Sequence, residues 1–182
     1  DEKPKWFIEG PHCMVEQVDP PFTFGVNQLL LEPGQTRSID IRVDFLAIQP
    51  GHGAASFADF VGGEDFLFLA IQAAAAQETG ITVENLGNGA VRVTFAANAS
   101  TNHLTFDILS VDDGLNEPIE DFRFVIFNEQ VTGGATSGDV IDGPGTSFVN
   151  SQILDLDEHQ VTISDAVGNE GQPLVFEIHL SN

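Results

Sequence analysis

Ser38-Ile39-Asp40-Ile41-Arg42-Val43-Asp44-Phe45 alternates apolar and polar residues without a break. Successive side chains of a strand point to opposite faces. Ile39, Ile41, Val43 and Phe45 therefore share one face and the polar residues the other, as in a half-buried antiparallel strand. Ala90-Val91-Arg92-Val93-Thr94-Phe95 repeats the pattern, and so does Leu174-Val175-Phe176-Glu177-Ile178-His179-Leu180. Further strand-like runs are Leu104 to Leu109 and Phe122 to Phe127. Turn signals punctuate the runs at Glu32-Pro33-Gly34, Gln49-Pro50-Gly51, Asn88-Gly89 and Gly143-Pro144-Gly145. Many short strands with such punctuation predict an antiparallel β-sandwich.

Leu67 to Thr79 breaks the pattern. It is rich in alanine, a good helix former, and Gly80 follows as a C-cap, so a short helix is expected between strands. Val26 to Leu31 reads as the opening strand. Residues 1 to about 22 hold four prolines and no period, and read as a linker or the end of a preceding module. Gln130 to Ser147, rich in Gly, Thr, Ser and Asp, reads as a long mobile loop.

Composition narrows the function. The 182 residues are 42% hydrophobic, enough for a real core. Phe occurs 15 times and Tyr never, so that core is expected to be Phe-rich. Asp and Glu number 28 against 6 Lys and Arg, a formal net charge of -22. Such a chain has no basic patch to displace counterions from nucleic acid and no electrostatic hold on anionic lipid. No apolar run approaches the roughly 20 residues of a membrane span. Asp1-Glu2-Lys3-Pro4-Lys5 lacks the apolar stretch of a signal peptide, so a secreted chain would have lost it or carry it upstream. Cys13 is the only cysteine, which precludes an internal disulfide.

Asp112-Asp113-Gly114-Leu115-Asn116-Glu117-Pro118-Ile119-Glu120-Asp121 places five carboxylates in ten residues, between two strand-like runs. Two explanations compete: a solvated acidic turn, or carboxylates gathered round a hard cation. Calcium takes six to eight oxygen ligands and favours carboxylates. In a sandwich the loops of one end cluster, so acids far apart in sequence can meet there.

The order of motifs resembles the Calx-β family. Val161-Thr162-Ile163-Ser164-Asp165-Ala166, Glu170-Gly171 and Phe176 to Ser181 are similar to the start of a Calx-β repeat. Gly62-Gly63-Glu64-Asp65-Phe66 resembles the family's Gly-x-Asp-aromatic turn. Val91 to Phe95 with Leu104 to Asp113 resembles its central hairpin, leading into an Asp-Asp pair. Glu117, Glu120 and Phe122 fall where the family has Glu, Glu and Phe, and Ile153-Leu154-Asp155-Leu156-Asp157 resembles its closing acidic motif. The resemblance implies an all-β, immunoglobulin-like antiparallel β-sandwich of Calx-β type with a short inserted helix. Residues 24–158 would form that sandwich with insertions, residues 1–23 a linker or the end of a preceding module, and residues 159–182 the first strands of a second, truncated repeat.

The resemblance also implies a ligand set for calcium at one tip: Glu32, Asp65, Asp112, Asp113, Glu117, Glu120, Asp155 and Asp157, with the Leu115 carbonyl in addition. The interval from Asp65 to Asp112 is longer than the family's, and Leu156 stands where many members carry a middle Asp. The implied role is a calcium-binding structural or adhesive module of a secreted or cell-surface repeat protein. Its partners would be calcium ions and neighbouring repeats or other chains, including further copies joined by strand addition, with neither nucleic acid nor membrane insertion. A calcium-sensing regulatory domain and a metal-free acidic sandwich are the alternatives.

Other chemistries find little support. Asp155 to Gln160 lacks the glycine of an EF-hand loop. No Gly-x-Ser-x-Gly elbow, His-Glu-x-x-His helix or P-loop is present, and the five histidines are dispersed, so no enzyme is expected. His52 reads as a loop residue, Cys13 as a partly buried thiol, and Asn98-Ala99-Ser100 as a formal glycosylation sequon.

Overall fold

The alternation of Ser38–Phe45 is realised in β4 (Thr36–Phe45), the centre of a large sheet in a computed structural model that describes residues 4–15, 21–114, 117–133, 148–155 and 160–181. Strands β7 (Ala90–Ala96) and β9 (Glu120–Thr132) flank β4, both antiparallel. Beyond β7 lies β6 (Ile81–Gly87), and beyond β9 lies β10 (Phe148–Leu154), each antiparallel to its neighbour. A short β2 (Cys13–Val15) adds in parallel to β10. Where β4 ends, at the Phe45–Phe122 pair, β5 (Gly53–Ala54) takes over beside β9, with Gly53 opposite Glu120 and Ala54 opposite Asp121.

A smaller antiparallel sheet, in the order β1 (Trp6–Glu9), β3 (Phe22–Val26) and β8 (His103–Phe106), covers the apolar face of the large one. Phenylalanine rings join the two layers. Phe22 meets Phe124 edge-on at 4.9 Å between centroids, Phe106 meets Phe124 at 5.9 Å, and Trp6 meets Phe95 at 5.9 Å. Such pairs add about 0.5–1.5 kcal/mol each beyond the burial of their area. The chain is thus mostly β with two packed, largely antiparallel sheets, an architecture compatible with a β-sandwich, and its core is Phe-rich as the composition predicts.

The β6–β7 hairpin turns at Asn88-Gly89, both left-handed (φ 51° and 67°), as a two-residue turn between right-twisted strands requires. Gly89 is needed for space as well: a Cβ there would lie 2.6 Å from Val43 and 2.7 Å from Phe57. Strand β6 carries little strand signal of its own, because Ile81 and Val83 give only two apolar positions before Glu84-Asn85.

Several expectations are corrected. Residues 1–23 are not a linker over their described part: Trp6, Ile8 and Met14 are buried, and β1 and β2 are members of the two sheets. The runs are too short, and too close to prolines, to show a period. The opening strand of the sandwich segment is Phe22–Val26, not Val26–Leu31; Leu30 is left-handed (φ 45°) and exposed. Helix α1 (Phe66–Ala75) is present, burying Phe66, Leu67, Ile71 and Ala75, but its C-cap is Ala76. Gly80, expected as the cap, is left-handed (φ 72°) in the turn before β6, where a Cβ would lie 2.8 Å from the Ala99 backbone. Strand β9 extends to Thr132 and absorbs the start of the expected loop, while residues 134–147 lie outside the described residues.

The polar face of β4 is not open to water. Asp40 is 2% exposed; the Arg92 guanidinium donates to it at 2.8 and 3.0 Å, and Asn128 Nδ2 at 2.7 Å. Arg37, on the side of β4 shared with Ile39 and Ile41, is buried as well, and donates to Glu129 at 2.8 Å and to the Leu29 carbonyl at 3.0 Å. Cross-strand charge pairs thus satisfy buried charge on both sides of the strand.

At the C-terminal end, β11 (Gln160–Ile163) and β12 (Ile178–Ser181) pair antiparallel with each other and, among the described residues, with no other strand. Leu174 to Glu177, expected as strand, lies outside the ladder except for hydrogen bonds between Ser164 and Glu177.

Candidate metal centre

The first carboxylate of the site is set by a short turn. Ser56 opens a 3₁₀ turn over Phe57–Asp59, and its hydroxyl accepts from the Ala58 amide at 3.2 Å. The Asp59 carboxylate reaches back to accept from the Ser56 amide (2.5 Å) and hydroxyl (2.8 Å), closing a capping box. The aromatic residues on either side of Asp59 are anchored. Phe57 meets Phe45 edge-on at 4.9 Å, and Phe60 stacks on Phe66 at 4.2 Å and meets Phe122 at 5.1 Å. The Asp59 carbonyl accepts from the Val111 amide at 2.9 Å, which holds the Asp112-Asp113 segment alongside.

Glu120 begins β9, between Gly53 of β5 and Ile153 of β10. Glu117 lies just before it, and its amide donates to Asp155, directly after β10, at 2.5 Å. Asp59, Glu117 and Glu120 each offer an oxygen within 4.8 Å of the others. Asp113 and Asp155, with Val111, Pro118 and Ile153, complete the lining of this hollow.

The electrostatics follow from the crowding. Burial first, then the charges of Asp59 and Glu117, a hydrogen bond with Asp59 and the charge of Asp113 push the Glu120 carboxyl up to about 7. The Glu117 carboxyl is raised too, by loss of hydration and then by Asp113, Asp59 and Asp155. Like charges that cannot all ionise at low cost favour a proton or a cation among them. The donors are carboxylate oxygens, without imidazole or thiolate, which suits calcium or magnesium and not the softer transition metals. Five carboxylates at one place can supply the six to eight oxygens of a calcium shell, in part by bidentate binding.

Of the eight residues implied as ligands, the structure brings Asp113, Glu117, Glu120 and Asp155 together. Asp112 is adjacent, but its carboxylate accepts from the Gly114 amide at 3.3 Å and is not part of the lining. Asp65 does not join them; it precedes α1 and accepts from Asn85 Nδ2 at 2.8 Å, tying the helix to β6. Glu32 lies at the other pole, before Thr36, which pairs with Thr132 and Ala96, while the hollow is beside Phe45 and Phe122. The ten residues of β4 put about 30 Å between those poles. Asp157 and Leu115 lie outside the described residues.

Asp59 is the member that the sequence reading missed. Two Asp-aromatic pairs stand close together, Asp59-Phe60 and Asp65-Phe66, and the glycines before the second favoured it. The Ser56-x-x-Asp59 spacing of a capping box was the available signal for the first.

Comparison of the chain with known proteins finds no matching family model, no matching curated protein and no matching solved structure. Among the described residues no helix is long and apolar enough to cross a membrane.

Proposed function

We propose that this chain is a calcium-binding structural module of Calx-β type, an immunoglobulin-like sandwich from a secreted or cell-surface repeat protein. The observation that carries the reading is the convergence of Asp59, Glu117 and Glu120, drawn from a turn, a loop and a strand start, into one hollow with Asp113 and Asp155. A calcium ion there would replace mutual repulsion by shared coordination and pin the β5–α1 turn, the segment before β9 and the end of β10 to one another. Such pinning stiffens a pole of the sandwich, and the chain leaves that pole through Asp155 towards β11. Stiffening of that junction is the structural role we assign; a regulatory role would use the same site to report occupancy to a partner.

Extracellular calcium sites bind at about 0.1–1 mM. Binding confined to the folded state stabilises it by about 2.7 kcal/mol at a hundredfold excess over Kd. Calorimetric titration with calcium chloride should therefore show a millimolar or tighter site, and the melting temperature should climb with calcium concentration. Neither heat nor a melting shift at 10 mM calcium, about tenfold above the weak end of that range, would remove the metal from the reading.

A separate observation favours a second role, assembly by strand addition. The β11–β12 pair exposes Val161 (60%), Ile163 (64%) and Ile178 (69%), and two strands alone are marginal in water. Sedimentation of the full chain at rising concentration reads this out. A monomer throughout, with fast amide exchange in β11 and β12, would discard it.

A further inference from the structure

The arm that delivers Asp59 to the hollow is tied down at a second point. Asp121, next to Glu120 in β9, is buried, and its Oδ2 accepts from the amides of Ile48 (2.7 Å) and Gln49 (3.0 Å). Its Oδ1 accepts from His52 Nδ1 at 2.8 Å. Burial alone would raise the Asp121 carboxyl, but the bonds from His52 and the two amides outweigh it and hold the group below the usual range. Backbone bonds extend the grip: Gly53 donates to the Ile119 carbonyl at 2.8 Å and Ala55 to the Asp121 carbonyl at 3.0 Å. The next residue is Ser56, which opens the capping box of Asp59.

We infer that His52 and Asp121 form a latch that positions Asp59, so that His52 is a positioning residue of the cation site although it touches no ligand oxygen. Consecutive residues of a strand face opposite ways. Glu120 offers its carboxylate to the hollow, and Asp121, on the other face, grips the arm that brings the hollow its third carboxylate. One dipeptide thus sets both sides of the site. Asp59 depends on this device because the turn that carries it directly follows the arm held by Asp121. The inference rests on the calcium reading of the hollow.

The test uses the full chain with His52→Ala and His52→Asn, each alone and with Asp59→Asn. Partners behind metal ligands typically change metal affinity by about 10–100-fold. His52→Ala should weaken calcium binding by about tenfold or more, and His52→Asn, which keeps an N–H donor near the Nδ1 position, should recover most of it. In the Asp59→Asn background His52→Ala should cost no further affinity, because coupled residues are not additive. A merely structural histidine would give losses that add, and that result overturns the latch. In calcium-free protein, His52→Ala should also speed amide exchange over Ser56–Phe60 while the β4–β7 ladder stays protected. Unchanged exchange overturns the latch without reference to metal. If the unaltered chain binds no calcium, the metal reading falls, and exchange alone decides whether His52 holds the arm.

Discussion

Asp40 and Glu120 stand on adjacent central strands, and the protein treats their charges in opposite ways. Asp40 lies opposite a bulge that β9 makes at Asn128-Glu129, and Arg92 and Asn128 supply its positive and polar partners. Asp121 is handled alike, by His52 and two amides. Glu120 faces Asp59, Glu117 and Asp113 instead. The fold completes its buried carboxylates from within at the first two positions. At the third it assembles charge of one sign and draws its carboxyl up to about 7. An acid whose partner is built in contributes to stability in any buffer; an acid ringed by acids contributes according to what the solution supplies. The difference, and not the total of 28 acids, is what sets the hollow apart.

Removing Asp40 should have the largest effect on the calcium-free fold. Asp40→Ala deletes three hydrogen bonds to a buried carboxylate and leaves Asn128 short of a partner. We expect a loss of about 2–3 kcal/mol in urea unfolding, in the range for hydrogen bonds to charged groups. The increment gained on adding calcium should be unchanged, because Asp40 lies outside the hollow. A variant that lost its calcium response along with its stability would erase the distinction between the two kinds of acid.

Glu120→Gln should act with the opposite sign. It removes one charge from the cluster, so calcium-free protein should become more stable by about 1 kcal/mol after solvent screening is allowed for, and calcium affinity should fall at least tenfold, roughly the cost of disturbing an outer partner. The pH dependence follows from the raised carboxyl. Its folded value of about 7 lies above the ordinary 4.5, so the folded state holds the proton more tightly than the unfolded one. That stabilisation is full below about 4.5 and is lost as pH rises through about 7. Calcium competes with the same proton, so its affinity should rise over that interval. Melting curves from pH 5 to 8, with and without calcium, should diverge with increasing pH in the unaltered chain and run closer to parallel in Glu120→Gln. Asp121, held low, contributes in the other direction and only in more acid solution, so it does not obscure this window.

The central strands were legible because period-two alternation is local: Ile39, Ile41 and Val43 state their face without reference to anything else. So were Glu117 and Glu120, which share a loop and a strand start with Asp113. What was not legible depended on contacts made across the fold. Trp6, Ile8 and Met14 are core residues only because β3 and β10 lie beside them, and a four-residue strand next to prolines carries no signal of that. The charge pairing of Asp40 with Arg92, 52 positions apart, depends on β4–β7 register. The distance of Glu32 from the hollow was not legible either, because a Glu before a turn states its neighbours along the chain, not the end of the sheet to which the turn belongs.

The smallest effects discriminate best between the two Asp-aromatic turns. Asp59 and Asp65 are six residues apart, each followed by Phe, with Asp59 half-buried and Asp65 exposed. Asp59→Asn removes a charge from the hollow and should abolish most of the calcium shift in melting temperature. Asp65→Asn keeps an acceptor for Asn85 and lies outside the hollow, so stability should stay within about 0.5 kcal/mol, as for ordinary surface substitutions, with calcium binding unchanged. Glu32→Gln at the far pole should be equally silent. If Asp65→Asn or Glu32→Gln lowered calcium affinity while Asp59→Asn did not, the ion would lie elsewhere, and the crowding around Glu120 would be a solvated acidic pole after all. The turn that brings Asp59 inward is set by Ser56 and two anchored phenylalanines. Whether Asp59 or Asp65 faces the hollow is therefore a property of how the arm packs, and a side-by-side titration of these three variants reads that packing directly.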